Sequence, residues 1–383
     1  MTDRASGHAS RPFTCPNPVP STNTSSWRER FFRDQPEFPW LAPGDPESIE
    51  AFLRERGFLA DGQKVLACTA AGAGNMNLTL RIETSRGSLV LKQARPWVEK
   101  YEHIRAPWDR DAAERNFYES AARIADLAPR IPKLLGSDPS AHVLLIEDLV
   151  GASDLTTLYR NEGERLSANE LDELAGFLSV LHRERNTASD TPFLNQAMRE
   201  LNFAHLFEVP FDDKNGVNLE ELETGFLKQA QEFRRDENLR GALREIGTHY
   251  MKPGSSVLHG DFFPGSWLRT PKGIRVIDFE FSFQGEPEID IGCAVAHLAL
   301  GGQTMRETQR FVSAYLRDGA APRIDTAWVG RYAGVEVARR LIGVAQLPLP
   351  AASPGLTRRC DLLRRTRGAI LKGRVESLFE AVS

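Results

Sequence analysis

Cysteine is scarce. The 383 residues carry four, Cys15, Cys68, Cys293 and Cys360, and none stands in a C-x-x-C or Cys/His spacing. That excludes a zinc knot or a disulfide scaffold as the organising device, and reduced thiols in the cytoplasm fit the pattern best. An excess of one charge is also lacking: Lys and Arg total 48 against 52 Asp and Glu, for a net charge of −4. Nothing in that balance calls for a nucleic acid or an anionic membrane as partner. No uninterrupted apolar run approaches the roughly 20 residues that span a bilayer, and the opening MTDRASGHASRPFTCPNP has no apolar core of a secretory signal. Internal repeats and heptad arrays are not found either. The expectation is a cytoplasmic protein whose partner is a small molecule, with neither nucleic acid nor membrane involved.

Hydrophobic residues make up 41% and charged residues 26%, a balance that permits folding without help. The length exceeds what one core usually fills, which predicts two lobes. Residues 1–45 are rich in Pro, Ser, Thr and Asn and read as a flexible N-terminal arm, although WRERFFRDQPEFPW offers aromatics that could dock on the body. A helix is expected over 45–59, then strands in KVLACTAA, MNLTLRIET and GSLVLKQA, a helix over 110–126 and a strand in HVLLIEDL. Beyond 150 the pattern turns helical, over 167–183, 220–247, 303–318, 325–346 and 357–380, broken by the strand-like VLHGDFF and RVIDFEF. The fold class is α+β, with a small antiparallel-sheet N-lobe (46–148) and a larger, mostly helical C-lobe (149–383). Apolar helix faces leave room for a homodimer.

Several polar residues stand out against these runs. Gly72 and Gly74 lie between two strands, where they serve either a plain hairpin or a close backbone approach to phosphate. Lys92 is one ammonium in an otherwise apolar strand, and Glu114 follows on the next helix; such a pair can hold nucleotide phosphate oxygens. LHGDFFPGS supplies Asp261 and Ser266. VIDFEF supplies Asp278 and Glu280 with like parity, so on a strand both would share one face and repel unless a cation lay between them. Mg²⁺ suits two carboxylates without a histidine cluster. Asp261 would then accept the proton of an attacking hydroxyl. His259 reads as a backbone brace and Asp290 as the acceptor of loop N–H groups. Arg339 and Arg340 sit in an apolar helix pattern where neighbours cannot share a face, so at least one is expected to meet an anion or a hydroxyl-rich ligand.

These residues together resemble the protein-kinase-like small-molecule phosphotransferases, which include aminoglycoside phosphotransferases and choline kinases, and most closely the 5-methylthioribose kinases. AGNMNL (73–78) is similar to that family's nucleotide loop D-G-N-x-N-L, LVLKQA to its phosphate-lysine strand, DRDAAERN to the helix of the partner glutamate, and LIEDL (145–149) to its inter-lobe hinge. HGDFFPGS resembles H-G-D-L-H-T-G-S, IDFEFSFQGEPEIDIG resembles I-D-P-E-F-A-F-x-G-x-x-x-x-D-I-G, and RRLIGVAQ resembles R-R-x-I-G-x-A-H. The resemblance implies a protein-kinase-like two-lobed fold with ATP between the lobes. It implies nucleotide contacts from Gly72, Gly74, Asn75, Asn77, Lys92, Glu114 and the hinge at Glu147 and Leu149. Catalysis would fall to Asp261, with Ser266 where aminoglycoside kinases use Asn; Mg²⁺ would bind Asp278 and Glu280. Arg339, Arg340 and Phe263 would line the acceptor site, with His259 and Asp290 structural. Ala73 replaces the loop aspartate, Phe263 the family His, Pro264 its Thr, Phe279 its Pro and Gln346 its second His, so the surroundings of the acceptor depart from the pattern more than the ATP and Mg²⁺ groups do. The implied activity is ATP- and Mg²⁺-dependent phosphorylation of a sugar-like hydroxyl, with 5-methylthioribose as the first candidate. An aminoglycoside- or nucleoside-type antibiotic phosphotransferase and a non-catalytic nucleotide sensor are the alternatives.

Overall fold

The computed structural model describes residues 27–72, 76–160, 164–183, 193–317, 319–350 and 359–380. Helices α1 (Trp27–Asp34) and α2 (Pro46–Glu55) precede strands β1 (Val65–Ala70), β2 (Leu78–Thr84) and β3 (Gly87–Gln93). A short hairpin, β4 (Trp97–Val98) and β5 (Tyr101–Arg105), and helix α3 (Arg110–Ala121) lead to β6 (Leu134–Asp138) and β7 (Val143–Glu147). The sheet runs β1-β2-β3-β7-β6 and is antiparallel throughout.

Strict alternation sends Leu78, Leu80 and Ile82 of β2, Leu89 and Leu91 of β3, and Val143 and Leu145 of β7 to one face, where they pack with Ile49, Phe52 and Leu53 of α2. Asp45 caps that helix, its carboxylate accepting from the Ser48 amide at 3.0 Å. The same period of two turns Lys92 and Val90 to the opposite face, toward α3. One strand thereby serves a core on one side and chemistry on the other.

From Trp27 onward the segment read as a flexible arm is docked. Trp40 stacks on Trp97 (ring centroids 5.4 Å apart) and on Trp108 (5.8 Å), with Phe31, Phe32 and Phe38 against the same indoles. Leu41 enters the sheet core, and its carbonyl accepts from the Arg95 guanidinium. The Pro- and Ser-rich composition suggested flexibility, but four aromatic rings within ten residues offer enough apolar surface to order the chain. The first 26 residues of that expected arm lie outside the described residues. Replacing Trp40 with Ala should cost about 1–3 kcal/mol, since each aromatic pair contributes roughly 0.5–1.5 kcal/mol beyond its buried area. An unchanged urea midpoint would show that the platform does not hold the arm.

The second half begins with β8 (Ser153–Asp154), then α4 (Ala168–Arg183), α5 (Gln196–Phe207), α6 (Leu219–Leu222), α7 (Phe226–Arg235) and α8 (Glu237–Tyr250). Strands β9 (Ser256–Leu258), β10 (Trp267–Thr270), β11 (Gly273–Val276) and β12 (Phe283–Gly285) follow, then α9 (Glu288–Leu300), α10 (Met305–Arg317), α11 (Thr326–Ile342) and α12 (Arg359–Lys372). Three local signals redraw the expected helices. Gly225, at φ +80°, separates α6 from α7. Asp236 starts α8 by accepting from the Asn238 and Leu239 amides, so the expected 220–247 helix is three. Gly373, at φ +65°, stops α12 short of 380. Helix α5 was not anticipated. Among the described residues no helix is long and apolar enough to cross a membrane.

Pairing of β9 with β12, Leu258 opposite Phe283, sets two loops side by side: 259–266 after β9 and 277–282 before β12. Both carry the acidic residues singled out in the sequence.

Candidate active site

Lys92 Nζ lies 2.6 Å from Glu114 Oε1 and 2.9 Å from Asp278 Oδ1. The strand, helix α3 and the 277–282 loop thus meet on one ammonium. Burial alone would strip its charge, but Asp278, Glu114 and Glu280 outweigh that cost and hold its pKa well above the ordinary lysine range. Burial raises the Glu114 carboxyl despite the lysine beside it. Helix α3 is pressed onto the loop by Phe117, whose ring stacks on Phe279 at 3.9 Å.

Asp278 and Glu280 do not share a strand face. Strand β11 ends at Val276; Asp278 is left-handed at φ +68°, and residues 279–281 form a 3-10 turn. Aspartate is among the few non-glycine residues that adopt this conformation readily, and the reversal sends the two carboxylates into different surroundings. The Asp278 side chain is 44% exposed beside Lys92. Glu280 is buried, its Oε2 accepting from Asn77 Nδ2 at 3.0 Å and from Arg110 Nε at 3.2 Å. Burial pushes its pKa up to about 7 against the pull of Arg110 and Lys92. Asn195 holds the turn from behind, donating to the carbonyls of Glu280 (2.7 Å) and Ser282 (3.0 Å).

The 259–266 loop is fixed by backbone hydrogen bonds. Asp290, in the first turn of α9, accepts from the amides of His259 (2.7 Å) and Gly260 (2.9 Å) and contacts His182 Nε2 at 3.1 Å. His259 is fully buried and its ring reaches the Ile277 carbonyl at 2.9 Å, joining the two loops. Gly260 is at φ +85°, and a Cβ there would lie 2.1 Å from the Phe281 carbonyl oxygen; only glycine lets the loops approach this closely. Ser266, expected as a catalytic contact, is instead fully buried. Its hydroxyl donates to the Phe263 carbonyl (2.8 Å) and accepts from the Phe263 amide (3.2 Å), so it closes the loop rather than facing a ligand.

Asp261 emerges from this frame toward α11. Arg339 and Arg340, expected to diverge, both reach its Oδ1, at 3.4 and 3.2 Å. The reason lies one turn earlier. Glu336 stands at i−3 and i−4 to the two arginines and draws both guanidinium groups, at 3.1 and 2.6 Å. Burial opposes the charge on Glu336, yet the two arginines hold its pKa well below the usual carboxylate range. His297 contacts Glu336 at 3.1 Å and Tyr159 Oη at 2.6 Å. Phe263 lies under the Arg340 guanidinium, 4.9 Å from ring centroid to Cζ, and 5.4 Å from the His297 ring. The ligand atoms of Cys293, His297 and Glu336 lie within 4.8 Å of one another, but two arginines already occupy Glu336, and their charge makes this a poor home for a cation.

Helix α5 adds residues that no sequence motif flagged. Asn202 donates to the Gly260 carbonyl at 3.2 Å, and His205, one turn on, lies in the field of Arg339, Arg340 and Asp261. Burial first, then the two arginines, lower the His205 pKa from 6.5 to about 4. Between those values the unfolded chain binds the proton that the folded one refuses, so stability rises with pH through that window. A His205→Gln variant should lose less thermal stability on acidification from pH 6.5 to 4; an unchanged slope would contradict the assignment.

Gly72 stands at φ +69° at the end of β1's extension, with open space where a Cβ would project. Gly74 and Asn75 lie outside the described residues. Glu147 ends β7, its carboxylate accepting from the Lys133 amide at 3.1 Å, and the Leu149 carbonyl closes a turn with the Ala152 amide at 2.9 Å. Both sit where the chain leaves the sheet for the helical half.

The pattern of the Phosphotransferase enzyme family matches residues 67–326. Methylthioribose kinase from Exiguobacterium sibiricum is 25% identical over 365 residues, covering 87% of this chain and 87% of that protein. Methylthioribose kinase from Geobacillus thermodenitrificans is 24% identical over 377 residues, covering 87% and 91%. Among solved structures, LicA in complex with AMP superposes with a TM-score of 0.51 at 15% identity, over 87% of this chain and 100% of that one. The choline kinase LicA from Streptococcus pneumoniae gives 0.50 at 15%, over 84% and 98%. At such identity these two show a shared fold, a sheet-bearing N-lobe on a helical C-lobe. With the family pattern matched over more than half of its length, the chain belongs to the phosphotransferase enzyme family and is a small-molecule kinase.

Proposed function

We propose that this kinase uses ATP and Mg²⁺ to phosphorylate a hydroxyl of a small, uncharged, sugar-like acceptor, with 5-methylthioribose as the leading candidate. The observation that carries the reading is a pair of charge clusters, each centred on one of two adjacent loops: Asp278 with Lys92 and Glu114, and Asp261 beside Arg339 and Arg340. Nucleotide would lie between the sheet-bearing lobe, 46–148, and the helical lobe, 149–383, with adenine against the backbone at Glu147 and Leu149. Gly72 and Asn77, with Gly74 and Asn75 between them in the sequence, would contact the phosphates.

The donor set fits Mg²⁺: two carboxylates of hard oxygens, one partly open at Asp278 and one at Glu280 with a single oxygen engaged by Asn77 and Arg110. Bound there, the ion would neutralise charge on the phosphates. Lys92 would bind phosphate oxygens. Asp261 would take the proton of the acceptor hydroxyl as that oxygen bonds to the γ-phosphorus and ADP departs with the bridging oxygen. Arg339 and Arg340 would orient the acceptor and hold Asp261 in place.

Two guanidinium groups at the base disfavour a polycationic acceptor such as an aminoglycoside, and methylthioribose is uncharged. The names of the relatives point the same way. The test is ADP release with and without Mg²⁺ against methylthioribose, ribose, nucleosides and aminoglycosides. Release that needs both Mg²⁺ and methylthioribose supports the reading. Release with an antibiotic or nucleoside alone would replace the acceptor, and none with any acceptor would favour a nucleotide-binding sensor.

A further inference from the structure

Arg110 opens helix α3, where its charge opposes the positive end of the helix dipole, and it is completely buried. A guanidinium in that position must find acceptors for its N–H groups or destabilise the fold. It finds five. Nε donates to Asn77 Oδ1 at 2.9 Å and Glu280 Oε2 at 3.2 Å; NH1 donates to the carbonyls of Arg95 (2.6 Å) and Pro107 (2.7 Å); NH2 donates to the Met76 carbonyl at 2.8 Å. Met76 and Asn77 immediately precede β2, Arg95 follows β3, Pro107 precedes α3, and Glu280 belongs to the 277–282 loop of the other lobe.

We propose that Arg110 is a positioning residue that ties Met76 and Asn77, at the start of β2, to the metal carboxylate and so holds Glu280 for Mg²⁺. The inference rests on the assignment of Glu280 to Mg²⁺. Both hydrogen bonds to Glu280 fall on Oε2, from Arg110 and from Asn77, and among the described residues Oε1 receives none. Arg110 thereby engages one oxygen and leaves Oε1 as the one that would be available to the cation. Asn77 completes the lock, since its amide accepts from Arg110 and donates to Glu280.

The test is a thermodynamic cycle read by calorimetry, not by turnover: ADP affinity with saturating Mg²⁺ and with EDTA, for wild type, Arg110→Lys, Glu280→Gln and the double variant. Lysine keeps the charge but reaches few of the five acceptors. The expected result is that Arg110→Lys binds Mg²⁺-free ADP within about twofold of wild type and loses about 10-fold or more of the Mg²⁺-dependent gain, the usual range for a residue behind a metal ligand. Glu280→Gln should lose that gain as well, and the double variant should lose no more than Glu280→Gln alone. Should Arg110→Lys fail to fold, Asn77→Leu removes the second donor to Oε2 and must reduce the same gain. A full Mg²⁺ gain in Arg110→Lys alongside its loss in Glu280→Gln would overturn the proposal. So would equal weakening of ADP with and without Mg²⁺, which marks a plain structural staple. Retention of the gain in Glu280→Gln would instead remove the metal assignment itself, and the inference with it.

Discussion

Asp261→Asn should lower kcat and kcat/KM together by about 10²–10⁴, the usual contribution of a positioned general base, while ATP affinity measured by calorimetry stays near that of wild type. The fold should survive. An amide oxygen can still accept from Arg339 and Arg340, which lie 3.4 and 3.2 Å from Oδ1 in the native protein, and Glu336 still balances both arginines. The Asp290 contacts that shape the loop involve only backbone amides of His259 and Gly260. Unaltered turnover would remove Asp261 from the reaction.

Lys92→Met should abolish measurable turnover and also destabilise the protein. Removing one partner of a buried ion pair costs about 3–5 kcal/mol, because the charge left behind has neither water nor counter-ion. Glu114 is that charge: it is buried, 2.6 Å from Nζ, and its carboxyl is already raised by burial. Adding Glu114→Gln to Lys92→Met should therefore restore part of the urea midpoint without restoring turnover. Recovery of both would mean that the lysine acts only on the fold. Recovery of neither would mean that a stranded Glu114 charge is not what destabilises Lys92→Met.

How much of this was legible in the sequence depended on whether a local period governed the residue. Lys92 stands out because β3 alternates, and the alternation that buries Leu89 and Leu91 against α2 fixes the opposite face for the lysine. The brace made by His259 and Asp290 was legible for a similar reason, since polar groups next to apolar runs need partners. Strand parity failed at Asp278 because one left-handed residue ends the strand. Helical spacing failed at Arg339 and Arg340 because long side chains can converge on one carboxylate a turn away.

The residues missed altogether make contacts across great sequence distance. Arg110 reaches Glu280 and Asn202 reaches the Gly260 carbonyl through tertiary packing that no motif spacing encodes. One signal for Arg110 was available: an arginine in the first turn of a helix opposes the dipole and calls for an explanation. Helix α5 lacked even that, since its buried positions are partly polar and its apolar stripe is broken.

Transfer of a phosphoryl group from ATP to an uncharged sugar hydroxyl is tested most directly by offering the purified protein Mg·ATP with methylthioribose and an aminoglycoside at equal concentration and identifying the products by mass. The expected products are a monophosphate of methylthioribose and unmodified aminoglycoside. A phosphorylated aminoglycoside with methylthioribose untouched would contradict this assignment.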